Sequence, residues 1–187
     1  MDSHHDVRSV FDVGCSLGYV LRFAETSVFQ GADRLRGMDV DRYAVATGQA
    51  HLRNLGSKIE LVAGDVRELS AVMGMPRYDV VLCCGLLQYL NEDMAKRTIQ
   101  IMLAHTASVL GIITLAHPDN DNAHLPGSVV RPEDLGFIHN VEAMIQVAGG
   151  EVMFRKWTGP LESARYPRNP PLFVIARPSG ARRGGFR

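Results

Sequence analysis

The chain has 187 residues, 46% of them hydrophobic and 21% charged, and its 20 basic side chains balance 20 acidic ones. This suits one soluble domain with a core of its own, leaves no room for a second full domain, and supplies no overall field to attract a phosphate backbone, so nucleic acid is not an expected partner. No apolar run approaches the roughly 18 residues that cross a bilayer, and the polar start Met1-Asp2-Ser3-His4-His5 is unlike a signal peptide, so a cytoplasmic protein with no membrane partner is expected.

Arg8 to Val13 is a short apolar run ended by glycine, which reads as a strand and tight turn. Val20, Phe23, Ala24, Ser27 and Val28 follow at helical spacing. Leu35 to Val40 repeats the strand signal, and Asp41 caps a helix that places Val45, Gly48, Leu52 and Leu55 on one face. A third strand, Ile59 to Ala63, closes on Gly64-Asp65. Tyr78 to Cys84 is almost continuously apolar, as a central parallel strand covered on both faces should be. Asn91 caps a helix with Ala95, Ile99, Met102 and Leu103 on one face, leading to a strand at Leu110 to Leu115.

Periodicity stops between Ala116 and His139, where prolines, glycine, asparagines and histidines predict a long loop or lid. Asn140 restarts a helix through Val141, Met144, Ile145 and Ala148 that stops at Gly149-Gly150. Glu151 to Trp157 and Leu172 to Arg177 supply the last two strands, and residues 179–187 read as a flexible basic tail. Strands alternating with helices predict an α/β fold: a Rossmann-like, doubly wound, seven-stranded, mostly parallel sheet with helices on both faces. The last two strands have no helix between them, so an antiparallel C-terminal hairpin at one edge is expected. Such sheets bind ligands at the carboxyl ends of their strands.

Gly14-Cys15-Ser16-Leu17-Gly18 joins the first strand to its helix, where backbone amides and the helix dipole favour negative charge. A dinucleotide fingerprint needs glycines at one, three and six, whereas Ser16 and Tyr19 stand at the third and sixth positions. The pentad also matches the G-x-S-x-G nucleophile elbow, with Ser16 as nucleophile, but a hydrolase sheet needs strands before its elbow and only thirteen residues precede Gly14. A tight turn without a ligand is the remaining alternative. Cys15, Cys83 and Cys84 show no paired metal or redox spacing and read as small, mostly buried residues.

With the acidic positions that follow it, the loop resembles the first motif of the class I S-adenosylmethionine-dependent methyltransferase family, and the resemblance spans about residues 8 to 178. Val10-Phe11-Asp12-Val13-Gly14-Cys15-Ser16-Leu17-Gly18 is similar to the family's acid-then-glycine turn; Gly37-Met38-Asp39-Val40-Asp41 to its second-strand motif; and Ala63-Gly64-Asp65-Val66 to its third. The resemblance implies that Asp12 lies near the ammonium of the cofactor's methionine part, with Gly14, Cys15, Ser16, Gly18 and Tyr19 around that part. Asp39, beside Val40, would accept from both ribose hydroxyls. Asp65 would accept the adenine amino group, Val66 would pack on the ring, and Cys84, Gly85 and Leu86 would close over the adenosine. Residues 1–178 form the methyltransferase domain in this reading, with 116–139 as the lid or substrate loop. Two departures stand out: Ser16 takes the place of a glycine, and only nine residues precede the first strand where relatives carry covering helices. The substrate cover is then expected from 116–139, from 158–170, or from a second subunit in a homodimer.

Methyl transfer is an in-line displacement on a sulfonium that needs positioning, desolvation and sometimes a base. His117, directly after the fifth strand, is the first candidate base; His139 and His124 come next. His117, Asp119, Asp121 and His124 have donor types suited to a divalent metal. The metal-dependent catechol-type enzymes also use an aspartate after the fourth strand, where this chain has Cys84-Gly85-Leu86, so no metal is expected. Asn169-Pro170-Pro171-Leu172 is similar to the Asn-Pro-Pro-Tyr signature of nitrogen-directed relatives, but it leads into the last strand rather than following the fourth, and reads as a rigid lead-in to an edge. Trp157, Tyr166 and Tyr89 are candidates for the acceptor pocket. The expected activity is methyl transfer from S-adenosylmethionine, released as S-adenosylhomocysteine, to an oxygen or nitrogen of a small molecule, in specialised metabolism. A protein or RNA methyltransferase and a non-catalytic cofactor-binding partner subunit are the alternatives.

Overall fold

The computed structural model describes residues 6–132, 134–158 and 170–180. Five parallel strands, β1 (Ser9–Val13), β2 (Arg34–Asp39), β3 (Glu60–Ala63), β4 (Tyr78–Cys84) and β5 (Thr106–Leu115), alternate with helices α1 (Tyr19–Phe23), α2 (Arg42–Asn54), α3 (Leu69–Met73) and α4 (Glu92–Ala104). Two short strands, β6 (Val129–Val130) and β7 (Phe137–Ile138), then precede α5 (Val141–Val147), β8 (Gly150–Trp157) and β9 (Pro171–Pro178). The main sheet has seven strands in the order β3-β2-β1-β4-β5-β9-β8. The expected C-terminal hairpin is there: β9 inserts between β5 and β8, antiparallel to both, which leaves β8 as the edge.

The two faces of the sheet bury different sets of side chains, as the period-two alternation of strands requires. Val10, Leu35, Leu61 and Val80 pack with Leu21, Val45 and Leu52 of α1 and α2. Phe11, Val81, Cys83 and Ile112 pack with Leu69, Ile99, Met102 and Ile145 of α3, α4 and α5. The caps fall where expected: Asp41 accepts from Tyr43 N and Ala44 N, Asn91 from Met94 N, and Asn140 from Ala143 N.

At three places the structure corrects or adds to the local expectations. The apolar face assigned after the glycine turn is only partly the buried one: Ala24 of that set is buried, but Val20, Phe23 and Val28 are exposed, and Leu21, outside the set, is buried. The helix lasts only five residues before a wider π turn at Ala24–Val28 shifts its phase, so a 3.6-residue period does not carry across it. Between β3 and β4, where periodicity assigned nothing, Asp65 opens a tight turn at Val66–Glu68 that leads into α3. The reciprocal pair Asp65 and Glu68 is a capping box and is the sequence signal for it. Finally, the described part of the 116–139 segment, expected as a long loop or lid, carries short elements of its own. It contains a turn at Asn122–His124 and the antiparallel β6–β7 ribbon.

Candidate cofactor and active site

The strand order reverses between β1 and β4, so the loops leaving their carboxyl ends diverge to opposite faces and open a crevice, the usual ligand position in such sheets. The loops nevertheless approach closely there. A Cβ on Gly14 would stand 3.0 Å from Leu86 Cβ, and Gly14 has a φ of 81°, so only glycine fits both the turn and the contact. The turn is anchored by Gly14 N and Cys15 N, which donate to Met38 O at 2.8 and 3.1 Å. From the far side, α2 presses on the loop at Gly48, where any Cβ would lie 2.5 Å from Leu17 O.

The crevice is a cleft of about 600 Å³, the size of a small-ligand site. Gly14, Ser16, Asp39 and Val40 form one side, and Cys84, Gly85, Leu86, Tyr89 and Leu90 the other, with Asp65 and Val66 at the end beyond β3. The structure thus gathers nine of the expected residues around one cleft. Asp12, Cys15, Gly18 and Tyr19 do not line it; Asp12 lies buried on β1, two residues before the turn. Cys15 is buried under the turn, Gly18 packs against Leu52 and Leu61, and Tyr19 stands exposed at the start of α1.

The acidic groups differ in environment. Asp39 Oδ2 accepts from Ser16 N at 2.8 Å and its Oδ1 from Asp41 N at 2.9 Å, which ties the second strand's acid to the glycine turn. Ser16 itself holds a φ of 48°, a left-handed conformation that costs an L-residue roughly 1–2 kcal/mol. Asp12 lies two residues before Gly14 at only 1% exposure, and its Oδ1 has no hydrogen-bond partner. Burial, followed by the nearby Asp39 charge, pushes the Asp12 carboxyl from 3.8 up to about 7. An orphaned buried carboxylate oxygen is expensive unless something donates to it or neutralises it. Burial and the Asp12 charge likewise push the Cys84 thiol up to about 12, so the cleft floor offers a thiol and no thiolate.

A family model described as a methyltransferase domain matches residues 10–108, more than half of the chain. The chain belongs to the class I S-adenosylmethionine-dependent methyltransferase family. No curated protein matches it in sequence. Solved structures share the fold of this methyltransferase at low identity. One from Mesorhizobium loti, named as an S-adenosylmethionine-dependent methyltransferase, is 16% identical with a TM-score of 0.67, and 92% of each chain is covered. The magnesium protoporphyrin IX methyltransferase of Synechocystis with bound S-adenosylhomocysteine is 16% identical with a TM-score of 0.66, covering 95% of this chain and 77% of its own. A structure titled as the [4+2]-cyclase SpnF is also 16% identical, with a TM-score of 0.68, covering 93% and 76%.

Both leading candidate bases of this methyltransferase are engaged through Nδ1. His139 is fully buried. Its Nε2 lies 2.9 Å from Leu87 O and so carries the proton, while Ser128 Oγ donates to Nδ1 at 2.6 Å. Burial also holds it below the ordinary histidine pKa, against the opposing pull of the Leu87 carbonyl. His117 Nδ1 accepts from Asp119 N at 3.2 Å and Asn120 N at 3.1 Å, which leaves the proton on Nε2. Both histidines serve the architecture of the 116–139 segment. The acidic and imidazole groups of that segment are not gathered either: Asp121 caps the Asn122–His124 turn and is held by the Arg155 guanidinium. Among the described residues no group of three or more such side chains is placed to hold a metal ion. Trp157 Nε1 donates to His117 O at 3.1 Å and packs on the core, and of the expected aromatics among the described residues Tyr89 lines the cleft. Tyr166 and Asn169 lie outside the described residues.

Two residues that pattern reading passed over organise the site. Asn122, fully buried, accepts from His117 N at 2.8 Å and donates to Leu115 O at 3.0 Å and His139 O at 2.9 Å. It pins both ends of the 116–139 segment to the end of β5. Arg67 forms a two-pronged ion pair with Asp65, with its Nε 2.9 Å from Oδ1 and a terminal nitrogen 2.8 Å from Oδ2.

Proposed function

We propose that this methyltransferase moves the methyl group of S-adenosylmethionine to an oxygen or nitrogen of a small-molecule acceptor. The observation that carries the cofactor part is the unpartnered Oδ1 of buried Asp12 beside the glycine turn, a place that calls for a cation and fits the methionine ammonium, directly or through water. Asp39 would receive the ribose hydroxyls, Asp65 the adenine amino group, and Val66 and Leu86 would enclose the ring. When bound, the cofactor supplies an electrophilic methyl on a positive sulfur.

The chain's own contribution is to bind, orient and exclude water. With His117 and His139 held through Nδ1 within their own segment, neither serves as the base, which favours an acceptor whose nucleophile is available without one. The acceptor side of the cleft carries Leu86, Tyr89 and Leu90, with Tyr89 74% exposed, a surface suited to a flat, weakly polar molecule. Structural neighbours named for small-molecule methylation, the magnesium protoporphyrin IX enzyme and the mitomycin 7-O-methyltransferase, support the acceptor class. The 116–139 segment packs beside this side through His139 on Leu87 O and Ser128 N on Glu92, and would form part of the cover, with a second subunit in a homodimer supplying the rest. The reading includes cytoplasmic residence.

Calorimetric titration with S-adenosylmethionine and S-adenosylhomocysteine tests the central step. Micromolar binding by the wild type, weakened at least roughly tenfold in Asp39→Ala, is expected for loss of charge-assisted hydrogen bonds. Absence of binding to the wild type refutes it. Binding with no transfer to a broad panel of small phenols, amines and carboxylates would favour the partner-subunit alternative.

A further inference from the structure

Resting on that reading of the cleft, we propose that Arg67 is a positioning residue that makes the cofactor site selective for a 6-amino purine over a 6-oxo purine. A carboxylate offers about four acceptor sites. Arg67 takes three of those on Asp65: its backbone N–H and Nε both donate to Oδ1, at 2.9 Å each, and its terminal nitrogen donates to Oδ2 at 2.8 Å. One acceptor site remains, on Oδ2. Asp65 lines the cofactor cleft together with Val66, while Arg67 lies in an adjoining depression that shares Val40, Gly64 and Asp65 with it. The guanidinium therefore braces the carboxylate from the side away from Gly14 and Ser16.

This clamp has two chemical consequences. It fixes the carboxylate's orientation, so that an incoming N–H meets an acceptor already in place and little rotamer freedom is lost on binding. It also keeps Asp65 ionised: the Arg67 side chain and backbone N–H hold the carboxyl at about 2, well below the usual carboxylate range. A carboxylate that neither rotates away nor takes up a proton accepts from an exocyclic amine and repels a carbonyl oxygen in the same place. Without the Arg67 side chain only backbone capping bonds restrain Asp65, so the carboxylate turns more readily from that oxygen, or gains a proton and donates to it.

The test is calorimetric titration of wild type, Arg67→Met and Arg67→Lys with S-adenosylhomocysteine and with its 6-oxo counterpart, S-inosylhomocysteine. Near neutral pH the wild type should prefer the 6-amino ligand by at least roughly tenfold. Arg67→Met should reduce that preference to about threefold or less, and Arg67→Lys, which cannot form the fork, should fall between. The thermal midpoint should not move, because an exposed ion pair contributes little to folding. A pH series supplies a second readout. Both proteins share the fall in affinity that protonation of Asp12 brings below about pH 7, so the readout is their ratio: the affinity of Arg67→Met for S-adenosylhomocysteine relative to the wild type should drop as pH falls toward the ordinary aspartate value of about 4. An unchanged preference in Arg67→Met overturns the proposal, as does tighter binding of S-adenosylhomocysteine by that variant, which would mark Arg67 as a competitor for the carboxylate. Failure of the wild type to bind S-adenosylhomocysteine would instead refute the cofactor reading on which the proposal rests.

Discussion

Asp12→Asn is expected to stabilise the ligand-free protein above neutral pH while weakening its hold on the cofactor. The Asp12 carboxyl, 1% exposed, is raised from 3.8 to about 7, first by burial and then by Asp39. At roughly 1.4 kcal/mol per pH unit this corresponds to a penalty on the order of 4 kcal/mol for holding the ionised form in the folded state. The sign follows from proton counts. Below pH 3.8 the group is protonated whether the chain is folded or not; between 3.8 and about 7 the unfolded chain releases the proton and the folded chain keeps it. The favourable contribution is therefore complete at low pH and is lost as pH rises through about 7. Asparagine keeps the shape without the charge, at a cost of about 1–3 kcal/mol for its own unmet hydrogen bonds. A net gain of about 2 kcal/mol near pH 8 remains.

Urea unfolding of wild type and Asp12→Asn at intervals between about pH 5 and pH 8 measures the difference, which should widen as pH rises. The same variant should bind S-adenosylmethionine at least roughly tenfold more weakly, because an amide does not neutralise the ammonium. In the wild type, below about pH 7, binding should release a proton, visible as a binding enthalpy that depends on the buffer's ionisation heat. If Asp12→Asn is less stable than the wild type near pH 8, or the difference between them does not change with pH, the assignment of Asp12 as a buried cation-seeking acid is wrong.

Gly48→Ala should damage the site from outside it. The new methyl would stand 2.5 Å from Leu17 O, a backbone atom that cannot step aside, so α2 and the glycine turn must separate. A loss of about 1–3 kcal/mol in denaturant unfolding and a larger proportional loss of S-adenosylhomocysteine affinity are expected, and an unaffected affinity would show that the loop's position is not set by α2. Asn122→Ala removes the partner of His117 N and of the Leu115 and His139 carbonyls. It should cost about 3 kcal/mol in unfolding free energy and speed proteolysis within 116–139, and resistance to protease equal to the wild type's would refute its role as the strut of that segment.

What could be read from the chain alone was whatever depends on neighbours in sequence. The alternation of apolar runs and helical faces gave the strands and larger helices. Asp41, Asn91 and Asn140 marked helix starts because capping is a contact over two or three residues. The order of Gly14 to Gly18, Asp39 and Asp65 pointed to an adenosyl cofactor because parallel β-α units return each strand end to the same edge of the sheet. Tertiary structure decided everything that depends on residues far apart. The insertion of β9 between β5 and β8, the shift of the α1 face by its π turn, and the burial of His139 against Leu87 carry no local signature. Asp12 makes the same point: its sequence position marked it as a cofactor residue, but only packing from both sides of the sheet could strip it of water and leave an oxygen unpaired. His139 makes the converse point, since an imidazole reads as a base until the groups bonded to its nitrogens are known, and those groups, Ser128 Oγ and Leu87 O, lie 11 and 52 residues away. Hydrogen bonds across dozens of residues are set by where the sheet brings the chain back, and that is a property of the fold rather than of any segment.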